Sequence, residues 1–516
     1  MRIVFFTMAS ALTLAACTAT TAQAREGQST EPTLERSSVQ PQQAGDSYYT
    51  SAAASVAKRA GADYAPKAKN VILFVGDGMG VSTVTAGRIY AGQQKGLDGE
   101  SYRLTMETLP YSAFSKTYSH DAQVADSAST ATAMMSGVKT RSRTLGLRQG
   151  VAYSNCASAE GQGTDSIFEL AEAAGLSTGI VSTARITHAT PAATYSEAAN
   201  RDWEDDTEVQ DSGCTDIARQ LVDWGNGDGF EVILGGGRES FLPASVADPE
   251  TGEPAGRRAD GENLIDAWLA EPGERTYIYD QAGFDATDFA SDQKIMGLFQ
   301  PSHMQYSLDR GEDIAGEPSL AEMTKAAITR LSRSDEGYVL LVEGGRVDHG
   351  HHATNAARAL GDTAALDEAV AAALDMTDAD ETLVIVTADH SHTMTIAGYS
   401  SRNNDILGKA AYGPGGLVRA DDGKPYTTLG YANGNTGCKP GAETCVREDI
   451  TDVDTTDKDY HQQALIFQGS ETHAGEDVPV FASGPGSELV RGVIEQNEIF
   501  HVMGRASGLV SYDAED

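Results

Sequence analysis

Asp77, Glu343 and Asp389 each follow an apolar run. Val71–Val75 (VILFV) leads to Gly76-Asp77, Tyr338–Val342 (YVLLV) leads straight to Glu343, and Leu383–Val386 (LVIV) leads through Thr387-Ala388 to Asp389. Runs of this length, rich in β-branched residues, read as buried strands. Thr178–Ser182 and Val232–Leu234 read as further strands. Between them lie helical patterns: Asp165–Ala174, Leu320–Leu331, and a helix marked by Leu366, Val370 and Leu374. Strand and helix alternate from about residue 68 to 392, which predicts an α/β fold with a mostly parallel sheet covered by helices on both faces. Ligands bind beyond the carboxyl ends of strands in such sheets, so the three acids are expected to converge.

The stretch Tyr338–His352 is the densest in chemistry. It breaks at Gly344-Gly345 and places Glu343, Arg346, Asp348, His349, His351 and His352 within ten residues, in a chain with 11 histidines. Carboxylate and imidazole crowded at a strand end point to metal, with a solvated polar loop as the bland alternative. From about Ile396 to Phe467 the alternation fails in favour of Gly, Asn, Asp and Thr, and that stretch reads as an insertion outside the main sheet.

The N-terminus is read apart from the fold. Arg2 precedes an apolar run too short to span a bilayer, so residues 1–24 read as a signal peptide. Its cleavage site is either a lipobox ending at Cys17, which would be lipidated, or an A-x-A site ending at Ala24. The otherwise unexplained Cys17 favours the first. Residues 25–45 are expected to be a flexible tether and 46–510 the catalytic domain. The chain is read as exported to the periplasm or cell envelope, an oxidising setting in which Cys438 with Cys445, and Cys156 with Cys214, form two disulfides. With 38 Lys+Arg against 75 Asp+Glu the formal net charge is −37, which argues against nucleic acid. Any anionic substrate must be drawn in by something other than net charge, and bound cations would do so.

Further motifs complete the set: Asp77 in VGDGMG, Asp126 and Ser127 in VADSAST, His188 and Thr190 in THATPAA, Arg201 in NRDW, Asp389, His390 and His392 in TADHSH, and His473 in ETHAGED. In this order they make the chain resemble the alkaline phosphatase family, nearer the branch that includes the animal enzymes, over roughly residues 48–505. The resemblance implies a three-layer α/β/α sandwich with residues 396–467 as a crown-like insertion. It implies one zinc on Asp348, His352 and His473, a second zinc on Asp77, Asp389 and His390 beside the nucleophile Ser127, and magnesium on Asp77, Thr190 and Glu343. Arg201 would hold phosphate, with His188, His349 and His392 supporting the ligands. His188 stands where other branches carry aspartate, which should weaken or reshape the magnesium side. A remote calcium would fall on Glu250, the Phe299 carbonyl, Gln300 and Glu317, although Gln300 there lacks a charge.

The residue types suit the chemistry. A serine hydroxyl needs activation to act as a nucleophile, a helix N-terminus and a cation both favour its alkoxide, and a guanidinium matches two oxygens of a phosphoryl group. The expected activity is hydrolysis of small phosphate monoesters through a phosphoserine, by a homodimer in family fashion. The rivals are a phosphodiesterase or sulfatase of the same superfamily, or a non-catalytic metal-binding lipoprotein.

Overall fold

Side chains alternate across each central strand and so build two cores. Leu73 and Val75, with Val339, Leu341, Leu383 and Ile385, pack on one face of the sheet. Ile72 and Phe74, with Leu340, Val342, Val384 and Val386, pack on the other. A strand buried on both faces must be apolar at every position, which is why these runs are continuous rather than alternating. The structure, a computed structural model, describes residues 34–512 apart from 35, 63, 210–211 and 438–445.

The strands are β1 (Asn70–Gly76), β2 (Tyr111–Lys116), β3 (Ser177–Arg185), β4 (Val232–Gly236), β5 (Arg275–Ile278), β6 (Lys294–Leu298), β7 (Tyr338–Gly344), β8 (Thr382–Ala388), β9 (Ser391–His392), β10 (Met394–Ile396), β11 (Leu429–Gly434), β12 (Ala464–Phe467), β13 (His473–Ala474), β14 (Val478–Ser483) and β15 (Gly492–Glu495). Ten form one sheet in the order β15-β2-β14-β8-β1-β7-β3-β4-β6-β5. Within it β14 runs antiparallel to both its neighbours and every other pairing is parallel. The predicted α/β class and mostly parallel sheet are therefore present. The strands β2, β5, β6 and β15 were not read from the sequence: β2 (YSAFSK) alternates with polar and exposed positions, and β5 has only four residues.

Registers set the functional edge. Val75 pairs with both Glu343 and Thr387, and Gly76 with Gly344 and Ala388, so β8, β1 and β7 end side by side. Beyond β7 the chain turns at once into a helix, Arg346–His352. Asp348 and His352 are four apart on that helix and so share a face. The insertion carries a sheet of its own, β10-β11-β12, apart from the main one.

One expectation fails. Among residues 25–45, those from 36 on are not a tether. Val39 bridges to Val510. Gln43 is fully buried; its amide donates to the carbonyls of Ser136 and Asp165, both at 2.8 Å, and its oxygen accepts from the Asp165 N–H at 2.9 Å. Polar composition suggested solvation, but these groups complete a buried hydrogen-bond set. Cys156 and Cys214 form the expected disulfide. Cys17, the signal peptide of residues 1–24, and Cys438 with Cys445 lie outside the described residues.

Replacing Gln43 by Ala strands three buried backbone groups. Allowing for water reaching one of them, we expect a loss of about 2–4 kcal/mol of stability, measured by urea unfolding.

Candidate metal centre

Four adjacent strands deliver the site. Asp389 follows β8, Asp77 follows β1, Glu343 ends β7, and Ser182, its register partner, lies in β3. Asp77, Glu343 and Asp389 are completely buried and Asp348 almost so. Burial pushes the Asp77 carboxyl far up, and Asp389, Asp348 and Glu343 push it further. Burial likewise lifts Glu343 to about 8, with Asp389 adding to it. Four carboxylates in a water-poor edge are a large electrostatic cost, and the arginine that reaches Asp77 electrostatically is Arg201.

Two clusters have the geometry of ion sites. In the first, Asp348 Oδ1, His352 Nε2 and His473 Nε2 are 3.2–3.4 Å apart in every pairing. His352 Nδ1 donates to the Glu471 carbonyl at 2.6 Å and His473 Nδ1 to the Ala125 carbonyl at 2.8 Å. Carbonyls only accept, so each Nδ1 carries a proton and both Nε2 atoms face Asp348 Oδ1 and each other. With both rings neutral, two Nε2 lone pairs meet at 3.2 Å, and a cation between them would relieve that repulsion. In the second, His390 Nε2 lies 3.2 Å from Asp389 Oδ2, 3.3 Å from Asp77 Oδ1 and 3.1 Å from Ser127 Oγ. A tetrahedral ion with bonds of about 2.0–2.1 Å has ligand edges of about 3.3 Å, which the first cluster matches on every edge and the second on the edges from His390.

A third group is looser. Ligand atoms of Asp77, His188 and Glu343 lie within 4.8 Å of one another. Ser182 Oγ donates to Glu343 Oε2, but Glu343 Oε1, Asp77 Oδ2 and the Thr190 hydroxyl are buried without a partner. Orphaned buried oxygens of this kind are costly, and a bound cation would satisfy them.

Ser127 opens the helix Ser127–Ser136, but Asp126 is its cap, accepting from the N–H groups of Ala128 and Ser129. The serine hydroxyl is thereby free to face Asp77 and His390. Asp126 has a second task. Burial would raise its carboxyl, yet Arg201 and the Arg143 N–H hold it below the usual range. Arg201 Nη1 donates to Asp126 Oδ2 at 3.2 Å and Nη2 to His188 Nε2 at 2.8 Å. Each terminal nitrogen keeps one N–H for another acceptor. Burial, and then Arg201, push the His188 ring far below its usual value, so it stays neutral and serves as the arginine's acceptor.

The other histidines separate. His392 Nε2 meets Asp348 Oδ1 at 2.7 Å. His349 accepts from Arg346 at 3.1 Å, and burial and that arginine lower it to about 3. His351 lies between Thr83 Oγ1 and the Tyr431 hydroxyl, away from the ion clusters.

The residues expected at calcium lie near one another: Gln300 hydrogen-bonds Glu317, and burial, with Asp313 beside them adding to it, pushes the carboxyls of Glu250 and Glu317 up. Glu250 pairs with the buried guanidinium of Arg238 at 2.5 Å, which supplies the positive charge itself. The amide nitrogen of Gln300 donates to Asp313 at 2.6 Å and Glu317 Oε1 accepts from the Gln305 N–H at 2.9 Å. Sequence reading also missed Ser182 and Thr130, whose hydroxyl reaches Asp389 Oδ2 at 3.3 Å. Pairing register and helix rotation bring them in, and neither is written in local pattern.

The comparisons with known proteins follow the geometry. The family model described as alkaline phosphatase matches residues 68–509. The tissue-nonspecific alkaline phosphatase of Gallus gallus is 45% identical over 451 residues, covering 85% of this chain and 84% of that protein. The alkaline phosphatase of Gadus morhua is 42% identical over 452 residues, covering 86% and 92%. Among solved structures, the alkaline phosphatase of Thermus thermophilus is 25% identical with a TM-score of 0.63, covering 87% of this chain and 93% of that one. That of the Antarctic bacterium TAB5 is 25% identical with a TM-score of 0.59, covering 86% and 99%.

The buried acids give a pH prediction. Glu343 titrates near 8 in the folded, ion-free chain against an ordinary 4.5, so folding favours its protonated form. Stability therefore falls as pH rises from the unfolded to the folded value. Above about 6.5 the lowered His188 and His390 no longer oppose this trend. We expect chelator-treated protein to lose stability from pH 6.5 to 8, by up to about 1.4 kcal/mol per pH unit for one such carboxyl. Ion-loaded protein should not, so the gap in Tm between the two widens over that window in a thermal melt.

Proposed function

The chain belongs to the alkaline phosphatase family and is a metal-dependent phosphomonoesterase, and from that premise we propose that it works through a phosphoserine on Ser127 at a centre of two zinc ions and one magnesium. Asp348, His352 and His473 would hold one zinc, and Asp77, Asp389 and His390 the other. Asp77, Thr190 and Glu343 would hold magnesium. The observation that carries the reading is the convergence of Asp348 Oδ1, His352 Nε2 and His473 Nε2 at tetrahedral spacing. Imidazole and carboxylate suit zinc, and the oxygen-rich Glu343 side suits magnesium, although the imidazole of His188 at its border makes that site less purely oxygen.

When bound, such ions supply Lewis-acid charge at the attacking and leaving oxygens and lower the pKa of a water. The protein's own groups do the rest. Asp126 caps the helix, so Ser127 Oγ stands at a helix N-terminus with its favourable partial charge. Ser127 Oγ forms a bond to phosphorus as the bond to the departing alcohol breaks. Arg201, braced by Asp126 and His188, turns its two remaining terminal N–H groups toward phosphoryl oxygens. Water then displaces the serine and releases inorganic phosphate. Burial of the whole edge strengthens each of these electrostatic contacts.

Around this centre we place residues 46–510 as the catalytic domain, exported behind a signal peptide of residues 1–24, with Cys17 as a lipid anchor and a homodimer as the assembly. No described helix is long and apolar enough to cross a membrane. Intact mass of the mature protein distinguishes an anchored Cys17 from a start at Arg25.

Replacing Ser127 by Ala should cut turnover of an aryl phosphate by about a thousandfold or more while zinc at Asp348, His352 and His473 is retained. Unchanged turnover overturns the nucleophile. A faster rate on the matching diester or sulfate ester overturns the monoester assignment.

A further inference from the structure

Three ligand groups of the first ion cluster must be held within a fraction of an ångström before any ion arrives. Two of them, Asp348 and His352, lie on one short helix, and the third, His473, comes from more than a hundred residues later. The residue common to all three is Glu471. It is 1% exposed, and its carboxylate is fully engaged. Its Oε2 meets His392 Nδ1 at 2.5 Å, and the other ring nitrogen of that histidine meets Asp348 Oδ1 at 2.7 Å. Its Oε1 accepts from the backbone N–H of Thr393 at 2.7 Å and from the Thr393 hydroxyl at 2.6 Å, which fixes the carboxylate in rotation.

The backbone of the same residue acts on the second ligand. The Glu471 N–H donates to the His352 carbonyl at 3.0 Å, and the Glu471 carbonyl takes the Nδ1 proton of His352 at 2.6 Å. The third ligand, His473, is two residues on and pairs in β13 against His392 in β9. One residue therefore touches the aspartate ligand through an imidazole and the first histidine ligand directly, and it lies two residues before the second.

We propose that Glu471 is the positioning residue of this ion site: its side chain, through His392, fixes Asp348, and its backbone fixes the ring of His352. It does not touch substrate. Its effect falls on how tightly the ion is held, because partners behind a ligand set its orientation and are commonly worth about 10–100-fold in metal affinity. The proposal rests on the assignment of Asp348, His352 and His473 to one zinc.

The test uses the full-length, zinc-loaded enzyme. Zinc release to excess EDTA is followed by metal analysis, alongside kcat and KM for an aryl phosphate. Glu471→Ala should release zinc about 10–100-fold faster than wild type, and excess zinc should restore most of kcat with KM little changed. Glu471→Gln keeps the shape and the Thr393 contact, but it removes the negative charge behind His392 and reverses the hydrogen bond to His392 Nδ1, and should release zinc several-fold faster; it carries the test if the alanine variant fails to fold. In a His392→Ala background, Glu471→Gln should add nothing. Wild-type release by Glu471→Gln, or full additivity with His392→Ala, overturns the proposal. His352→Ala is the separate arm for the premise: wild-type zinc retention there overturns the ligand assignment rather than the role of Glu471.

Discussion

Mutual repulsion of buried carboxylates governs this molecule. Asp77, Glu343 and Asp389 are packed where water cannot screen them, and burial and neighbouring carboxylates push each carboxyl up, whereas histidines hold Asp348 down. Cations bound at this edge would relieve the repulsion among the first three. The fold follows from the same demand. Three parallel strands ending in register bring three acids to one line, and the helix after β7 adds the fourth at one turn's distance. The apolar strands make the edge dry, and the dry edge makes each ligand contact strong.

The same constraint reconciles an acidic protein with an anionic substrate. A net charge of −37 repels phosphate at long range, and salt screens that repulsion within about 10 Å. Close in, the local charge is what counts: ions on the carboxylates, the guanidinium of Arg201, and the positive end of the Ser127 helix. Asp126 links two of these, because one carboxylate caps the helix and braces the arginine. Ser127 and Arg201 are thereby held at a fixed offset.

Residues at strand ends were legible in the sequence, because a strand buried on both faces leaves an uninterrupted apolar run whose end is visible. Asp77, Glu343 and Asp389 were found in this way before any family was named. Ser127, Arg201 and His473 were legible only through their motifs, since a lone serine, arginine or histidine carries no pattern. Ser182, Thr130 and the role of Glu471 were not legible, because register and side-chain rotation decide which hydroxyl or carboxylate backs a ligand. Arg238 was not legible either: its buried guanidinium pairs with Glu250, a contact that only the packing reveals. Residues 36–45 were misread because polar composition cannot tell a solvated glutamine from a buried one whose bonds are all made.

The sequence by itself determined the class of fold, the edge at which chemistry would occur, and the acids delivered to that edge, because strand periodicity and strand ends are local properties. It also carried the ordered motifs that place the chain in its family. Only the tertiary structure decided which carboxylate and imidazole atoms come together, which histidines stand behind others, and why the Ser127 hydroxyl is not spent on capping its helix. Those are matters of a few tenths of an ångström between groups hundreds of residues apart, set by how sheet, helices and insertion pack together.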